Sequence, residues 1–383
     1  MKRKKLLVFY SRGGGGHLSA SDAITGYLQD RYDIIPVNPF DDILAHLDPM
    51  RKLSRNRFSG EDTYNFIIRH GWYRLINIYA YTIGASYINK LAPQITKLLH
   101  AYLNREKPDL LISLIPFLNA PIADAARKLR IPCTVVTVDL DPATYVHGLN
   151  GSQHDQLYFT IPCDMAAVRN KIAAAGIPPE RIRVTGYPVR QAFLAKAETE
   201  KIKKSLGISR DRPVIFLLMG ANGAKRAFRF AQLIETIDLP AELLIVTGHN
   251  NRLSERIAEM PAAPHVKRRV IGHTLRISEL MGAADLLVTK SGPTTIFEAI
   301  QSDLPMVVDA TTSVIRWEKM NISFVEEHEL GVVLRRMEDL PQLICRHLCD
   351  DVYRADIRRN LRAFDKRLFR DEFPALVQQV TGG

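Results

Sequence analysis

Residues 5–24, "KLLVFYSRGGGGHLSASDAI", place four consecutive glycines and a histidine between an apolar run and a stretch with helical spacing. The apolar part, 5–11, reads as a strand with a charged entry. Beyond the glycines, Ala20, Ala23, Ile24, Tyr27 and Leu28 recur at the spacing of one helix face. A strand passing through a short glycine loop into a helix is the opening unit of a doubly wound α/β domain. Two common nucleotide loops do not fit. Counted from Gly13 or Gly14, the sixth position of G-x-G-x-x-G is Leu18 or Ser19, and no Gly-Lys-Ser/Thr follows. What is left is bare backbone, Gly15 and Gly16 included, at the carboxyl end of a strand. Such a loop lets a substrate approach the main chain and leaves N–H groups available at the helix start. His17 is then a candidate to take a proton from an acceptor hydroxyl. The competing reading is tight strand–helix packing, with His17 as a cap or surface residue.

The alternation continues outward. Near-continuous apolar runs at 109–117 and 133–140 have the pattern of strands buried on both faces of a parallel sheet, and 156–161 and 181–188 are further strand candidates, with helices between them. It restarts with strand candidates at 213–220, 241–248, 265–272, 284–292 and 304–310. The expected architecture is α/β, with two Rossmann-like doubly wound domains, 1–195 and 196–383, separated by the polar stretch that follows residue 190. The last helix is expected to pack back on the first domain.

The 383 residues are 46% hydrophobic and 24% charged, an ordinary globular composition. Four cysteines are too few for a disulfide framework, which favours a reducing cytosol. The longest weakly charged stretch, 64–88, still carries Arg69, His70 and Arg74. An arginine at a bilayer centre costs about 2.5–3.5 kcal/mol, so no spanning helix is expected. The net charge is +11. Within an insertion at about 41–100 that breaks the alternation, cations and aromatics interleave, among them Arg57, Arg69, Trp72, Tyr73 and Arg74. That mixture suits an anionic membrane surface, where rings sit at headgroup level and cations meet phosphates. The plainer reading is a helical insertion whose aromatics fill a core. No nucleic-acid module is visible, and no nucleic acid is expected as a partner.

The second half carries two more loops at strand ends. "MGANGAKR" (219–226) supplies Gly220, Asn222 and Gly223. "TKSGPTTIFEA" (289–299) supplies Ser291, Gly292, Thr294 and Thr295 at a helix start with Pro293 in its first turn, a phosphate-binding arrangement. Glu298, about one turn in, could accept from a diol such as a ribose, or simply suit the helix dipole. Further on, "RWEKMN" (316–321) offers Glu318 and Asn321 for sugar hydroxyls.

With these residues in place the chain resembles the GT-B glycosyltransferases of the group that includes monogalactosyldiacylglycerol synthases, processive diacylglycerol glucosyltransferases and MurG. The resemblance runs through "GGGGHLSASDAI", "RIRVTGYPVRQAF", "LLMGANGAKR" and "WEKMN". Its most specific part is "ELMGAADLLVTKSGPTTIFEAIQSDLPMVV". It implies two Rossmann-like domains facing across a cleft. It also implies inverting transfer of a hexose from a UDP-sugar to a lipid, above all diacylglycerol, in glycolipid synthesis. The UDP-sugar is a co-substrate, and neither a metal nor another cofactor is implied. Gly292, Thr294 and Thr295 would hold the diphosphate, Glu298 the ribose, and Glu318 and Asn321 the sugar. Gly220 and Gly223 would let their loop close on the phosphates. His17 matches the family's proposed base, and Asp139 matches an aspartate of the lipid-type enzymes. "DLD" (139–141) spells a metal motif but ends a strand on the acceptor side. The protein would work as a peripheral enzyme on the cytoplasmic face of the membrane. Two departures fall on that side: Arg12 stands where the galactosyl enzymes usually have an acid, and "DPATYV" (141–146) replaces their His and Trp. Rival readings keep the fold with a polyprenyl-linked or small-molecule acceptor, epimerise the sugar, or make the protein a non-catalytic scaffold.

Overall fold

The computed structural model describes residues 3–150, 153–195, 198–220 and 226–382. Its frame is two parallel six-stranded sheets. The first contains β1 (Lys5–Phe9), β2 (Asp33–Val37), β3 (Leu110–Ser113), β4 (Cys133–Val136), β5 (Leu157–Ile161) and β6 (Ile182–Val184), in the order β2-β1-β3-β4-β5-β6. The second contains β7 (Val214–Leu218), β8 (Ala241–Val246), β9 (Val266–Ile271), β10 (Leu286–Lys290), β11 (Met306–Asp309) and β12 (Gly331–Leu334), in the order β12-β11-β10-β7-β8-β9. Inner strands such as β3 and β7 are buried along their whole length, as the unbroken runs "LLIS" and "VIFLL" require.

Two strands lie outside the sequence expectation, β2 and β12, and both are sheet edges. The β2 run contains Pro36, which pairs in register with Val8. Proline donates no N–H, so it is tolerated on an edge and obscures the strand in the sequence. β12 is four residues long and opens on Gly331. A Cβ there would lie 2.3 Å from the Met306 carbonyl oxygen, so only glycine permits β12 to come this close to β11.

The chain divides into two compact units. One holds residues 1–66, 75–191 and 367–383; the other holds 67–74 and 192–366. In the first unit the final helix, Phe369–Thr381, lies against Gly16–Leu28, with the Tyr27 and Phe369 rings 6.0 Å apart. Gly186, at φ +80°, allows the chain to pass at this corner; a Cβ on it would sit 2.0 Å from the Arg367 carbonyl oxygen. Residues 41–100 form mainly helices, including Gly60–Arg69, Tyr73–Ile78 and Ala85–Glu106. Residues 67–74 of that stretch group with the second unit. Among the described residues no helix is long and apolar enough to cross a membrane.

Candidate active site

Each sheet has one point where the winding reverses. In the first, the chain leaves β1 for β2 on one side and returns to β3 on the other; in the second, β7 leads to β8 while β10 pairs on its opposite edge. The carboxyl ends of the strands at such a point open a crevice, the usual place for a ligand in this architecture.

In the first unit this crevice holds the glycine loop. Gly14 and Gly15 have φ of +75° and +86°, a conformation side chains disfavour. Gly13 is crowded, since a Cβ on it would lie 3.2 Å from Ser11 Oγ and 3.4 Å from the Tyr64 ring. Gly15 precedes the helix Gly16–Leu28 and provides no side-chain cap. The four glycines thus meet three different demands: left-handed backbone, close contact and an open helix start.

His17 lies in the first turn of that helix, half-buried. Its Nδ1 is 2.8 Å from the carbonyl oxygen of Leu114, immediately beyond β3. A carbonyl only accepts, so Nδ1 carries the proton and Nε2 keeps its lone pair. Desolvation lowers the His17 pKa to about 4, the Leu114 hydrogen bond opposing it, so the ring is neutral at pH 7. A neutral imidazole with one nitrogen anchored and the other unprotonated is the form that can accept a proton.

Asp139, the other expected catalytic residue, is buried beyond β4, the next strand. Tyr145 Oη donates to its Oδ2 at 3.4 Å, and burial together with the Asp139 charge holds the Tyr145 hydroxyl proton well above its ordinary range. Asp141, the second acid of "DLD", pairs with Lys171 at 2.8 Å and caps the amide of Ala143. No cluster of three or more His, Cys, Asp or Glu side chains among the described residues could hold a metal ion.

Arg12 is not left without acids. Its Nη2 lies 2.8 Å from Asp41 Oδ2, and its Nε lies 3.4 Å from Glu61 Oε2. Both acids come from the 41–100 insertion. Local sequence reading missed them because they lie far from the glycine loop along the chain.

In the second unit, Ser291 and Gly292 follow β10 and lead into the helix Pro293–Gln301, whose N-cap, Gly292, makes no side-chain cap bond. Its first turn, with Thr294 and Thr295, presents main-chain N–H groups to an anion. Lys290 was also missed: a Cβ on Gly292 would be 3.2 Å from its Nζ, and one on Gly220 (φ +92°) 3.3 Å from its Cε. The Lys290 side chain therefore lies against both glycines, with its ammonium at Gly292. It pairs with Glu318 Oε1 at 3.1 Å, while Ser291 Oγ donates to Glu318 Oε2 at 2.9 Å. Asn321, expected to meet a sugar, is fully buried and donates from Nδ2 to the Ser291 carbonyl at 2.9 Å. Its Oδ1 has no hydrogen-bond partner among the described residues. In this structure Glu318 and Asn321 hold the Ser291 corner, and Glu298 is buried on the helix behind it. Arg226 adds a second cation nearby in the sheet order. It binds Asp309 Oδ2 at 2.6 Å at the end of β11 and donates to the hydroxyls of Thr311 and Thr312. Asn222 and Gly223 lie outside the described residues.

The insertion side chains divide. Arg57, Arg69, Trp72 and Arg74 are exposed, as are the apolar Phe58, Phe66, Leu75 and Ile78. Tyr73 departs from the expectation of an outward-facing anchor. It is half-buried in the second unit, where burial raises its pKa and the charges of Lys290, Glu318, Arg226 and Asp309 act on it. Its helix begins at Tyr73.

Comparison with known proteins fits this division. The sequence model of the family described as monogalactosyldiacylglycerol (MGDG) synthase matches residues 17–189. That of the glycosyltransferase family 28 C-terminal domain matches residues 214–321. A probable monogalactosyldiacylglycerol synthase, chloroplastic, of Glycine max is 26% identical over 369 residues, covering 90% of this chain and 65% of the soybean protein. A processive diacylglycerol beta-glucosyltransferase of Bacillus licheniformis is 24% identical over 269 residues, covering 70% of this chain and 67% of its own length. The chain spans slightly under two thirds of the plant relative. The crystal structure of Acinetobacter baumannii MurG superposes with a TM-score of 0.62 at 14% identity, over 99% of this chain and all of that one, which is a likeness of fold. The two matched segments together take in both switch points: the first is similar to the monogalactosyldiacylglycerol synthase domain and the second to the glycosyltransferase family 28 C-terminal domain, and the chain has the GT-B fold and resembles the monogalactosyldiacylglycerol synthases and diacylglycerol glucosyltransferases.

Proposed function

We propose that the protein transfers a hexose from a UDP-sugar to a lipid hydroxyl, with diacylglycerol as the acceptor, and that it does so without a metal. The observation that carries this reading is His17: neutral, tethered through Nδ1 to Leu114, and unprotonated at Nε2. Nε2 takes the proton of the acceptor hydroxyl as that oxygen attacks the anomeric carbon and the bond to the diphosphate breaks, inverting the centre. A positioned base of this kind contributes about 10²–10⁴-fold.

The leaving UDP carries the developing negative charge. The N–H groups at the start of Pro293–Gln301, the hydroxyls of Thr294 and Thr295, and the Lys290 ammonium are the groups suited to hold it. Glu318 keeps Lys290 in place over Gly220 and Gly292. The lipid acceptor is supported by the synthase family matching 17–189 and by relatives named for diacylglycerol. Exposed Arg57, Arg69, Trp72 and Arg74 support a peripheral hold on anionic lipid, each cation near such a surface being worth about 1 kcal/mol. The test is thin-layer analysis of lipid from vesicles containing diacylglycerol, incubated with UDP-glucose or UDP-galactose and the purified protein. A new glycolipid is expected from the wild type and none from His17→Ala. Product only with a water-soluble or polyprenyl acceptor would move the acceptor and keep the base.

A further inference from the structure

A loop of four glycines has no side chains to fix it, yet it must hold two left-handed residues next to the helix start that carries His17. The contacts that fix it come from one face of the helix Gly60–Arg69. Glu61 Oε1 accepts from Ser11 Oγ at 2.7 Å and from the Arg12 amide at 2.5 Å. Glu61 Oε2 accepts from Asn38 Nδ2 at 2.8 Å and from Arg12 Nε at 3.4 Å. One turn on, Asn65 Oδ1 accepts from the Gly14 amide at 2.9 Å, and Asn65 Nδ2 donates to the Arg12 carbonyl at 3.0 Å. Tyr64 lays its ring beside Gly13 and Gly14. Positions 61, 64 and 65 share a helix face.

Burying a carboxylate is costly unless donors surround it, and the buried Glu61 has four. Two of them are the side chain and the amide that open the loop. A residue needed only for packing could be apolar; this one converges on the backbone leading to His17.

We infer that Glu61 is a positioning residue, which sets the 11–16 loop and through it the placement of His17, with Asn65 as its second clamp. The inference rests on the reading of His17 as the proton acceptor. Gln at position 61 can still accept from Ser11 and the Arg12 amide, but its NH₂ opposes the Asn38 and Arg12 side-chain donors, so it restores half of the arrangement.

The test compares wild type, Glu61→Ala, Glu61→Gln and Asn65→Ala by amide hydrogen exchange over the whole chain. It adds steady-state transfer from UDP-glucose and UDP-galactose to diacylglycerol in phosphatidylglycerol vesicles. Glu61→Ala is expected to speed exchange at 12–16 at least tenfold while the second unit is unchanged. It should lower kcat at least tenfold with the KM for UDP-sugar within twofold, and Glu61→Gln should fall between it and wild type. Unchanged exchange at 12–16, a uniform rise across the first unit, or a UDP-sugar KM that rises with an unchanged kcat would overturn the inference. If the wild type transfers no sugar to diacylglycerol, the proposed acceptor fails, and the exchange arm still decides the role of Glu61.

Discussion

The His17 environment makes a prediction about acidity that can be worked through in numbers. Desolvation takes its pKa from 6.5 to about 4. At pH 5.5 a histidine at that value is ~97% neutral, whereas one at the ordinary value is only ~9% neutral. If neutral His17 is the base, kcat/KM should change little between pH 8 and pH 5.5. An ordinary histidine would lose about tenfold over the same interval. The same shift acts on folding. The folded pKa lies below the unfolded one, so between about pH 6.5 and 4 the unfolded chain binds a proton that the native chain does not. The contribution of this group to stability is intact above that window and is lost as pH falls through it. The assay is initial-rate transfer across the pH range, paired with an NMR titration of the histidine Cε1 protons in which His17→Gln identifies the missing signal. A His17 resonance titrating near 6.5, with a tenfold fall in rate by pH 5.5, would refute the desolvation argument.

Lys290→Met should weaken UDP binding about ten- to hundredfold, the range of a charge-assisted contact of about 1.5–3 kcal/mol; an unchanged calorimetric Kd would remove Lys290 from the donor site. Gly186→Ala should destabilise the fold by about 3 kcal/mol or more in urea titration, since it adds a left-handed strain to a collision with the Arg367 carbonyl. Gly207→Ala, at φ +63° with nothing within 4 Å, should show the left-handed strain alone, about 1–2 kcal/mol. Replacing Arg57, Arg69 and Arg74 together by Ala should weaken sedimentation with anionic vesicles by about 3 kcal/mol at low salt and much less at 0.5 M salt; equal binding at both salts would argue against a cationic hold.

The two-sheet architecture could be read from the sequence because buried parallel strands have to be continuous apolar runs, and "DLLISLIPF" or "PVIFLLMG" cannot be much else. The missed strands, β2 and β12, were two of the four edges, where burial is incomplete and Pro36 and Gly331 interrupt the pattern. The layout of the strand-end loops was legible in consecutive residues, as in the glycine loop before His17 or Ser291 to Thr295. The site was illegible where partners come from distant segments. Glu61 meets Arg12 across about fifty positions, and Asp309 meets Arg226 across more than eighty. Asn321 shows the opposite failure: its type suits a sugar, but a buried side chain tied to the Ser291 carbonyl serves the corner first. Tyr73 similarly looked like an interfacial aromatic until its neighbours turned out to be the charges around Lys290.

The central claim is that His17 activates a lipid hydroxyl toward a UDP-bound hexose. The most direct measurement follows radiolabelled sugar from UDP-glucose and UDP-galactose into chloroform-soluble product on diacylglycerol vesicles, with wild type and His17→Ala at matched UDP occupancy. The account predicts label in a glycosyldiacylglycerol from the wild type and a loss of about 10²–10⁴-fold in the variant with UDP affinity preserved. Near-full turnover by His17→Ala would contradict it.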